Sequence, residues 1–194
     1  GAVPPSMGDL LSLPGVAVDE TGAGLSEDDW KLVEQAVSQA LARVQEFRVR
    51  EGRAMRDEML SLVGELRRCR QDILERAPLV VSTYRDKIRE RVTQLLQNTG
   101  VTVTDQDLVR EVSLFADKCD ITEELARLLS HLGQFEDSLC ASPSAGRRLD
   151  FLCQELNREV NTIGSKSNDT TLTHRVVDAK AIVEKIREIV QNVE

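Results

Sequence analysis

Residues 145–167 read AGRRLDFLCQELNREVNTIGSKS, and this stretch decides how the chain folds. In an α-helix, where successive residues are 100° apart, its apolar side chains fall on a single face. The members of that stripe are Leu149, Leu152, Leu156, Val160 and Ile163. The stretch therefore predicts an amphipathic helix whose apolar face packs on a core.

Two carboxylates lie along one border of this stripe. Glu155 and Glu159 are one helical turn apart, and Arg148 lies two turns before Glu155. Partly shielded by a neighbouring helix, such a pair can hold a hard divalent cation or carry out acid–base chemistry. The alternative is an ordinary solvated face on which Arg148 and Arg158 pair with the carboxylates. The spacing alone leaves both readings open.

The preceding segment predicts a second amphipathic helix with a polar edge. Asp120, followed three residues later by Glu123, predicts its start as a capping box. Glu124, Arg127 and His131 follow at i, i+3 and i+7 along one edge of its apolar stripe. A histidine beside such a stripe is more often structural, but a carboxylate and a guanidinium on the same edge favour a functional role.

A short connection predicts that these two helices are antiparallel neighbours. Residues 141–146 form the turn between them. Helix axes in contact lie roughly 8 to 10 Å apart, so flanking edges come within reach of each other's side chains. Glu124 and His131 would then face Glu155 and Glu159, although the crossing angle that decides which edges meet is not written in the sequence.

Composition favours one helical body over a sheet, a membrane protein or a disordered chain. The 194 residues are 41% hydrophobic, 30% charged and only 3% aromatic, with a formal charge of -8. No apolar run approaches the roughly 20 residues that span a bilayer. The chain begins with Gly1 and has no signal sequence, which predicts a piece of a cytoplasmic protein. At this acidity, any nucleic acid must be held by local basic patches or screened carboxylates.

The four cysteines show no spacing typical of a metal site. They are Cys69, Cys119, Cys140 and Cys153, without a CxxC pair, and each replaces a small apolar residue of a predicted helix. We expect reduced thiols that pack in the core, with a zinc or thiolate site as the less favoured alternative.

Residues 1–119 predict a linker and then a long antiparallel helical hairpin with coiled-coil-like arms. The proline- and glycine-rich residues 1–24 predict the linker. Over residues 25–119, apolar residues recur at steps of three and four. Gly52 allows either one helix or two, and Pro78 predicts a kink or restart. A turn around Gly100 would join the arms, and residues 120–194 would form a C-terminal helical bundle.

Four segments carry a resemblance to a known family. These are FRVREGRAMRDEMLSLV at residues 47–63, DITEELARLLSHLGQF at 120–135, GRRLDFLCQELNREVNTIGSKS at 146–167 and IREIVQNVE at 186–194. Together they resemble the YicC/YloC family of bacterial endoribonucleases. The resemblance implies a metal-dependent enzyme that cleaves RNA, assembled as a homo-oligomer, in particular a hexamer. It also implies an α/β N-terminal half, which we expect to be missing from this chain.

The functional prediction combines the family's reaction with residue roles inferred from the two polar edges. Its metal ligands and catalytic groups are Glu124, His131, Glu155 and Glu159. Oxygen-rich ligation favours Mn²⁺ or Mg²⁺ over zinc. The cations predicted to contact RNA are Arg127, Arg147, Arg148, Arg158 and Lys166. The alternative, which the heptad pattern favours when the resemblance is set aside, is a non-catalytic oligomerising scaffold or adaptor of RNA metabolism.

Overall fold

The computed structural model describes residues 4–13, 15, 26–96, 104–140 and 146–193, and over those ranges it is helical with no strand. The helices are α1 (Met7–Leu11), α2 (Glu27–Leu96), α3 (Asp105–Lys118), α4 (Thr122–Cys140), α5 (Gly146–Lys166) and α6 (Thr170–Val190). The predicted all-α class is confirmed. Residues 97–103 and 141–145, which include the two predicted turns around Gly100 and before α5, lie outside the described residues.

Helix α2 is one uninterrupted helix. It begins after Ser26, whose hydroxyl accepts a hydrogen bond from the backbone N–H of Asp29, and it continues through both Gly52 and Pro78. Of the kink or restart expected at Pro78, the restart is wrong, because the helix continues through the proline. Ile73 and Val80 are buried on either side of the proline, and this packing holds the helix where one backbone hydrogen bond is lost.

The chain divides into two compact units, Gly1–Val49 and Arg50–Glu194. In the first unit, Ser6 and Asp9 cap the short helix α1 through reciprocal hydrogen bonds. The apolar residues of α2 in this unit keep the predicted spacing but are exposed. The exposed members of this N-terminal seam are Trp30, Val33, Val37, Val44 and Phe47.

The second unit contains the hydrophobic core. Helices α4 and α5 pack along each other, α6 packs on α5, and one face of α2 closes the core. On α2 the buried members include Met59, Val63, Leu66 and Ile73. The heptad spacing that leaves an exposed seam before Val49 is therefore a core face after it.

Helix α3 turns back along the second half of α2, which forms the predicted helical hairpin. The rings of Tyr84 and Phe115 stack with centroids 3.6 Å apart, and the Tyr84 hydroxyl donates to Glu111 at 3.4 Å. Thr104 caps α3 through a capping box with Asp107. None of the described residues of α3 is buried, and the stacked rings of Tyr84 and Phe115 are the aromatic contact that joins α3 to α2.

Helices α4 and α5 are antiparallel, as their short connection predicts. Glu124 near the start of α4 pairs with Lys166 at the end of α5, whereas His131 further along α4 lies near Glu155. The start of α4 differs from the expected capping box. The Asp120 carboxylate accepts from the Thr122 N–H at 2.9 Å, while Glu123 pairs with Arg127 instead, because α4 begins one residue later than the box requires.

Helix α2 is fastened to the bundle by paired arginines. Arg76 donates from two nitrogens to Asp169, at 2.8 and 3.2 Å, and Arg67 does the same to Glu136. Asp169 also caps α6 by accepting from Leu172 N. The first pair therefore ties α2 to the start of α6, and the second ties α2 to α4.

The cysteines are free thiols. Cys69 and Cys153 are buried, Cys119 is half-buried and Cys140 is exposed. Burial raises the pKa of Cys153 to about 12, so its thiol stays protonated and packs as a small apolar group. Among the described residues, no helix combines the length and apolar character that crossing a membrane requires.

Candidate metal centre

Three potential metal ligands converge where α4 and α5 pack. His131 comes from α4, and Glu155 and Glu159 come from successive turns of α5. Each offers one ligand atom, and the three atoms lie within 4.8 Å of one another. The leucine stripes of the two helices bring these flanking edges together, because the antiparallel packing sets the middle of α4 against the middle of α5.

Glu159 is a buried carboxylate with little compensation. Its residue exposure is 3%, and no donor among the described residues comes within hydrogen-bonding distance of it. Among the described residues, the cation paired with it is Arg127, whose Nη1 lies 3.9 Å away. An ionised carboxylate in such a place is unfavourable unless a charge reaches it, so a further cation at this site would stabilise it.

His131 lies across from Glu155 at the mouth of the same centre. Its Nε2 is 4.0 Å from Glu155 Oε2, too far for a hydrogen bond. Its other ring nitrogen, Nδ1, is buried and has no hydrogen-bond partner among the described residues. Both side chains are mostly buried, at 19% and 23% exposed, so they are held in position without being bonded to each other.

The fourth predicted ligand, Glu124, lies two turns before His131 and is held by a different group. Its Oε1 accepts from Lys166 Nζ at 2.8 Å, and the same ammonium donates to the Asp120 carbonyl. Burial raises the pKa of Glu124, but the hydrogen bond and charge of Lys166 outweigh it and hold the pKa below its ordinary value. The second oxygen, Oε2, is buried and unpartnered within the described part of the chain. The three-residue cluster does not include Glu124.

The five predicted RNA-contacting cations divide into three groups. Arg127 bonds Glu123 and faces Glu159, and Arg158 lies 3.8 Å from Glu155 while remaining 70% exposed. Arg147 and Arg148, on the first turn of α5, are exposed and form no ion pair with another described residue. Lys166 is engaged by Glu124. The sequence analysis missed Glu123 as the partner of Arg127, although its i,i+4 spacing was a usable signal.

The donor set suits a hard or borderline divalent ion. Two carboxylates and one imidazole are ligands that Mn²⁺ accepts, while the absence of a nearby described thiol disfavours a zinc–thiolate site. The orphaned Nδ1 of His131 and the under-compensated Glu159 are the observations that fit such an ion. The described part of the protein is thus all-α, and two carboxylates and one histidine lie close together between two antiparallel helices.

Comparison with known proteins identifies the family. Residues 73–194, more than half of the chain, match the model described as "Endoribonuclease YicC-like, C-terminal". The chain belongs to the YicC-like endoribonuclease family. A Clostridioides difficile protein named "Probable endoribonuclease YicC" is 40% identical over 165 residues, covering 85% of this chain and 56% of that relative. A Haemophilus influenzae protein of the same name is 30% identical over 188 residues, covering 96% and 63%.

The family comparison corrects one expectation. Residues 2–57 match the model described as "Endoribonuclease YicC-like, N-terminal region". Sequence of the N-terminal half is therefore present, and the expectation that this half is missing is wrong. The described residues of this range form helices and no strand. The apolar spacing of a helix gives no sign of an α/β half, which explains why this part was not recognised. The chain spans about three fifths of the length of the relatives it matches.

Proposed function

We propose that this chain carries the cation-binding centre of an endoribonuclease that hydrolyses RNA phosphodiester bonds, in RNA processing or decay. The observation that carries the proposal is the convergence of His131, Glu155 and Glu159 in a family of endoribonucleases. Glu155 and Glu159 would be the carboxylate ligands and His131 the nitrogen ligand. Mn²⁺ or Mg²⁺ is the proposed ion. When bound, such an ion polarises the scissile phosphate or lowers the pKa of a water.

The protein side chains have separable roles in this proposal. Glu159 is fixed by burial, and Glu155, which is more accessible, would lie nearer the substrate. His131 either completes the ligand set or moves a proton at the reacting oxygen, since its two nitrogens allow both. Glu124 lies outside the three-residue cluster, and its ion pair with Lys166 ties the start of α4 to the end of α5.

Arginines around the centre would neutralise the phosphate. Arg158 and Arg127 lie within 4 Å of the cluster carboxylates, so they can contact a phosphate bound there. Arg147 and Arg148 would hold the RNA backbone further along α5, because both are exposed and unpaired within the described residues. Lys166 would act on RNA only if it left Glu124.

The test compares two matched substitutions on α5. Glu155→Gln removes one charge from the centre, while Asp150→Asn removes one charge from the same helix, where Asp150 accepts from Gln154. We expect Mn²⁺-stimulated cleavage of an RNA oligonucleotide to fall by about 10²-fold or more in Glu155→Gln only. Circular dichroism should show unchanged helicity in both. Equal activity of wild type and Glu155→Gln would refute the centre.

One observation favours a second candidate, an oligomerising scaffold. The N-terminal seam is exposed along the whole of its length in the first unit, with Trp30 at 59%. An exposed heptad face of this size is typical of a surface that another helix covers. Acidic residues Glu27, Asp28 and Asp29 begin the helix, and Arg43 and Arg53 follow further along, which suits antiparallel pairing of two copies.

The two candidates are compatible, and we propose that the enzyme is a homo-oligomer, with the hexamer implied by the resemblance as the expected state. Sedimentation of Val37→Glu would test this, because a charge in the seam opposes its burial. A fall in mass, with cleavage retained or lost in parallel, supports assembly through the seam. An unchanged mass argues against it. If Glu155→Gln alters mass and no variant ever cleaves RNA, the scaffold is the better description.

A further inference from the structure

Phe151 is an exposed aromatic ring beside the candidate metal centre. Helix α5 is described over its whole length, and its other large apolar side chains are buried, with Leu152 and Leu156 at 1% and 0%. Phe151 is 57% exposed. Leaving a phenyl ring in water forgoes the favourable free energy that its burial would provide, so the core does not explain this residue.

The position of the ring on α5 relates it to the centre. Phe151 precedes Glu155 by four residues, so the two side chains are neighbours about one turn apart on the helix surface. At 100° per residue, the ring lies about 40° from Glu155, on the side away from the core stripe. The ring is therefore next to the more accessible of the two cluster carboxylates.

Cations flank the ring along the same strip of surface. Arg148 lies three residues before Phe151 and Arg158 seven residues after it, within about 60° and 20° of the ring around the axis. With a rise of 1.5 Å per residue, the two arginines are about 15 Å apart along the helix. Both are exposed. The strip therefore presents a cation, an aromatic face, a carboxylate and a second cation in sequence.

We propose that Phe151 is a stacking platform for one base of single-stranded RNA, the base next to the phosphate that enters the metal centre. This inference rests on the proposed function and adds the substrate class. Aromatic faces stack on unpaired bases, and arginines contact the adjoining phosphates. A base held in a duplex is already stacked and cannot reach the ring. Stacking accepts any base, so Phe151 selects unpaired RNA without selecting sequence.

The surroundings favour a nucleic acid over a protein as the occupant. A protein contact would continue the apolar surface around the ring. The neighbours on the strip are instead charged or polar: Arg147, Arg148, Gln154, Glu155 and Arg158. A single ring between guanidinium groups matches alternating bases and phosphates.

Fluorescence of 2-aminopurine tests the stacking directly. A single-stranded oligoribonucleotide carrying one 2-aminopurine is titrated with the full chain in EDTA, where cleavage does not occur. We expect quenching with wild type and Phe151→Tyr, and its loss in Phe151→Ala together with about 5- to 100-fold weaker binding. Val177→Ala is the matched control, because Val177 is an apolar residue of α6 with the same 57% exposure. A duplex of the same sequence should not show the Phe151-dependent quenching.

The outcomes separate this inference from the proposed nuclease activity. Equal quenching and affinity in Phe151→Ala and wild type overturn the stacking role, as does an absence of quenching in wild type. A change in sedimentation of Phe151→Ala with unaltered quenching makes the ring a protein contact and also overturns it. If quenching depends on Phe151 while no variant cleaves RNA in Mn²⁺, the platform stands and the nuclease proposal fails. Quenching retained in Glu155→Gln, with cleavage lost, supports both.

Discussion

Two arginine–carboxylate pairs in the second unit differ in how closely they approach. At the α2–α6 contact, Arg76 donates two hydrogen bonds to Asp169, the longer at 3.2 Å. At the α4–α5 contact, Arg127 and Glu159 approach no closer than 3.9 Å. The first carboxylate is additionally bonded by Leu172 N, and its pKa is held below the ordinary value, chiefly by the hydrogen bond from Arg76. The second is more deeply buried but has no donor within the described residues.

The difference separates a structural contact between helices from a candidate binding centre. Bidentate arginine–carboxylate pairs use up the hydrogen-bonding capacity of both partners and stabilise the position of a helix. A buried carboxylate without donors lowers stability, and a bound cation would offset that cost. In this bundle, the Asp169 carboxylate at the α2–α6 contact is fully hydrogen-bonded, whereas the Glu159 carboxylate between α4 and α5 has no donor among the described residues.

The largest expected effect is on activity at the centre. In Glu159→Gln we expect RNA cleavage to fall by about 10²-fold or more, because a neutral amide is a poor ligand for a divalent ion. The free energy of unfolding should stay unchanged or rise, since a buried uncompensated charge is removed. Cleavage assays and urea denaturation measure the two quantities. A clear loss of stability would mean that Glu159 is structural.

The second effect is on stability at the structural contact between α2 and α6. Asp169→Ala removes the N-cap of α6, worth about 1 kcal/mol, and the lost pair with Arg76 adds to this. We expect a lower midpoint in urea and no specific change in cleavage by the folded protein. Asp178→Ala is the control, because its partner Arg175 lies 3.4 Å away and both side chains are about half exposed. Equal destabilisation by the two substitutions would contradict the comparison.

A third effect concerns the close approach of α5 and α6. A Cβ at Gly164 would lie 2.9 Å from Val176 Cγ1, and valine in a helix has little rotamer freedom to move away. Overpacking costs about 1 to 3 kcal/mol, whereas alanine gains about 1 kcal/mol of helix propensity over glycine. Gly164→Ala should therefore be destabilising by about 1 kcal/mol in thermal or urea unfolding. Gly52→Ala, with open space around it, should be neutral or stabilising.

The smallest effect is the acid dependence of the α2–α6 contact. Because the pKa of Asp169 is lowered in the folded state, its ionised form contributes stability above its unfolded pKa, near pH 4, which is lost as pH falls through the folded pKa. The free energy of unfolding should fall between about pH 5 and pH 2, and less steeply in Asp169→Ala. If the free energy of unfolding fell with pH equally steeply in wild type and variant, the Arg76–Asp169 pair would not be formed in solution.

Local periodicity accounts for what the sequence predicted correctly. The stripes of α4 and α5 follow from residues three and four apart, and the short turn between them requires antiparallel packing. The meeting of His131 with Glu155 and Glu159 was predicted as one of several arrangements for that reason. The family resemblance supplied the proposed reaction, and residue spacing supplied the expectation that these side chains lie close together.

The remaining features depend on long-range geometry. The pairs of Arg76 with Asp169 and Arg67 with Glu136 join residues 93 and 69 positions apart, and neither pair has a local sequence signal. The capture of Lys166 by Glu124 depends on the register of two helices, which side-chain spacing on each helix does not determine. The apolar residues of α2 have the same spacing before Val49, where they are exposed, and after it, where they are buried. Periodicity shows that a helix has an apolar face but does not show what covers that face.

The burial of Cys153 has a practical consequence for chemical labelling. A thiol with a pKa of about 12 supplies almost no thiolate at neutral pH, and Cys69 is also buried with a raised pKa. Cys140, at the end of α4, is exposed. Maleimide dyes should therefore attach at Cys140 well before these two interior positions, placing a reporter at the end of α4 without disturbing the core.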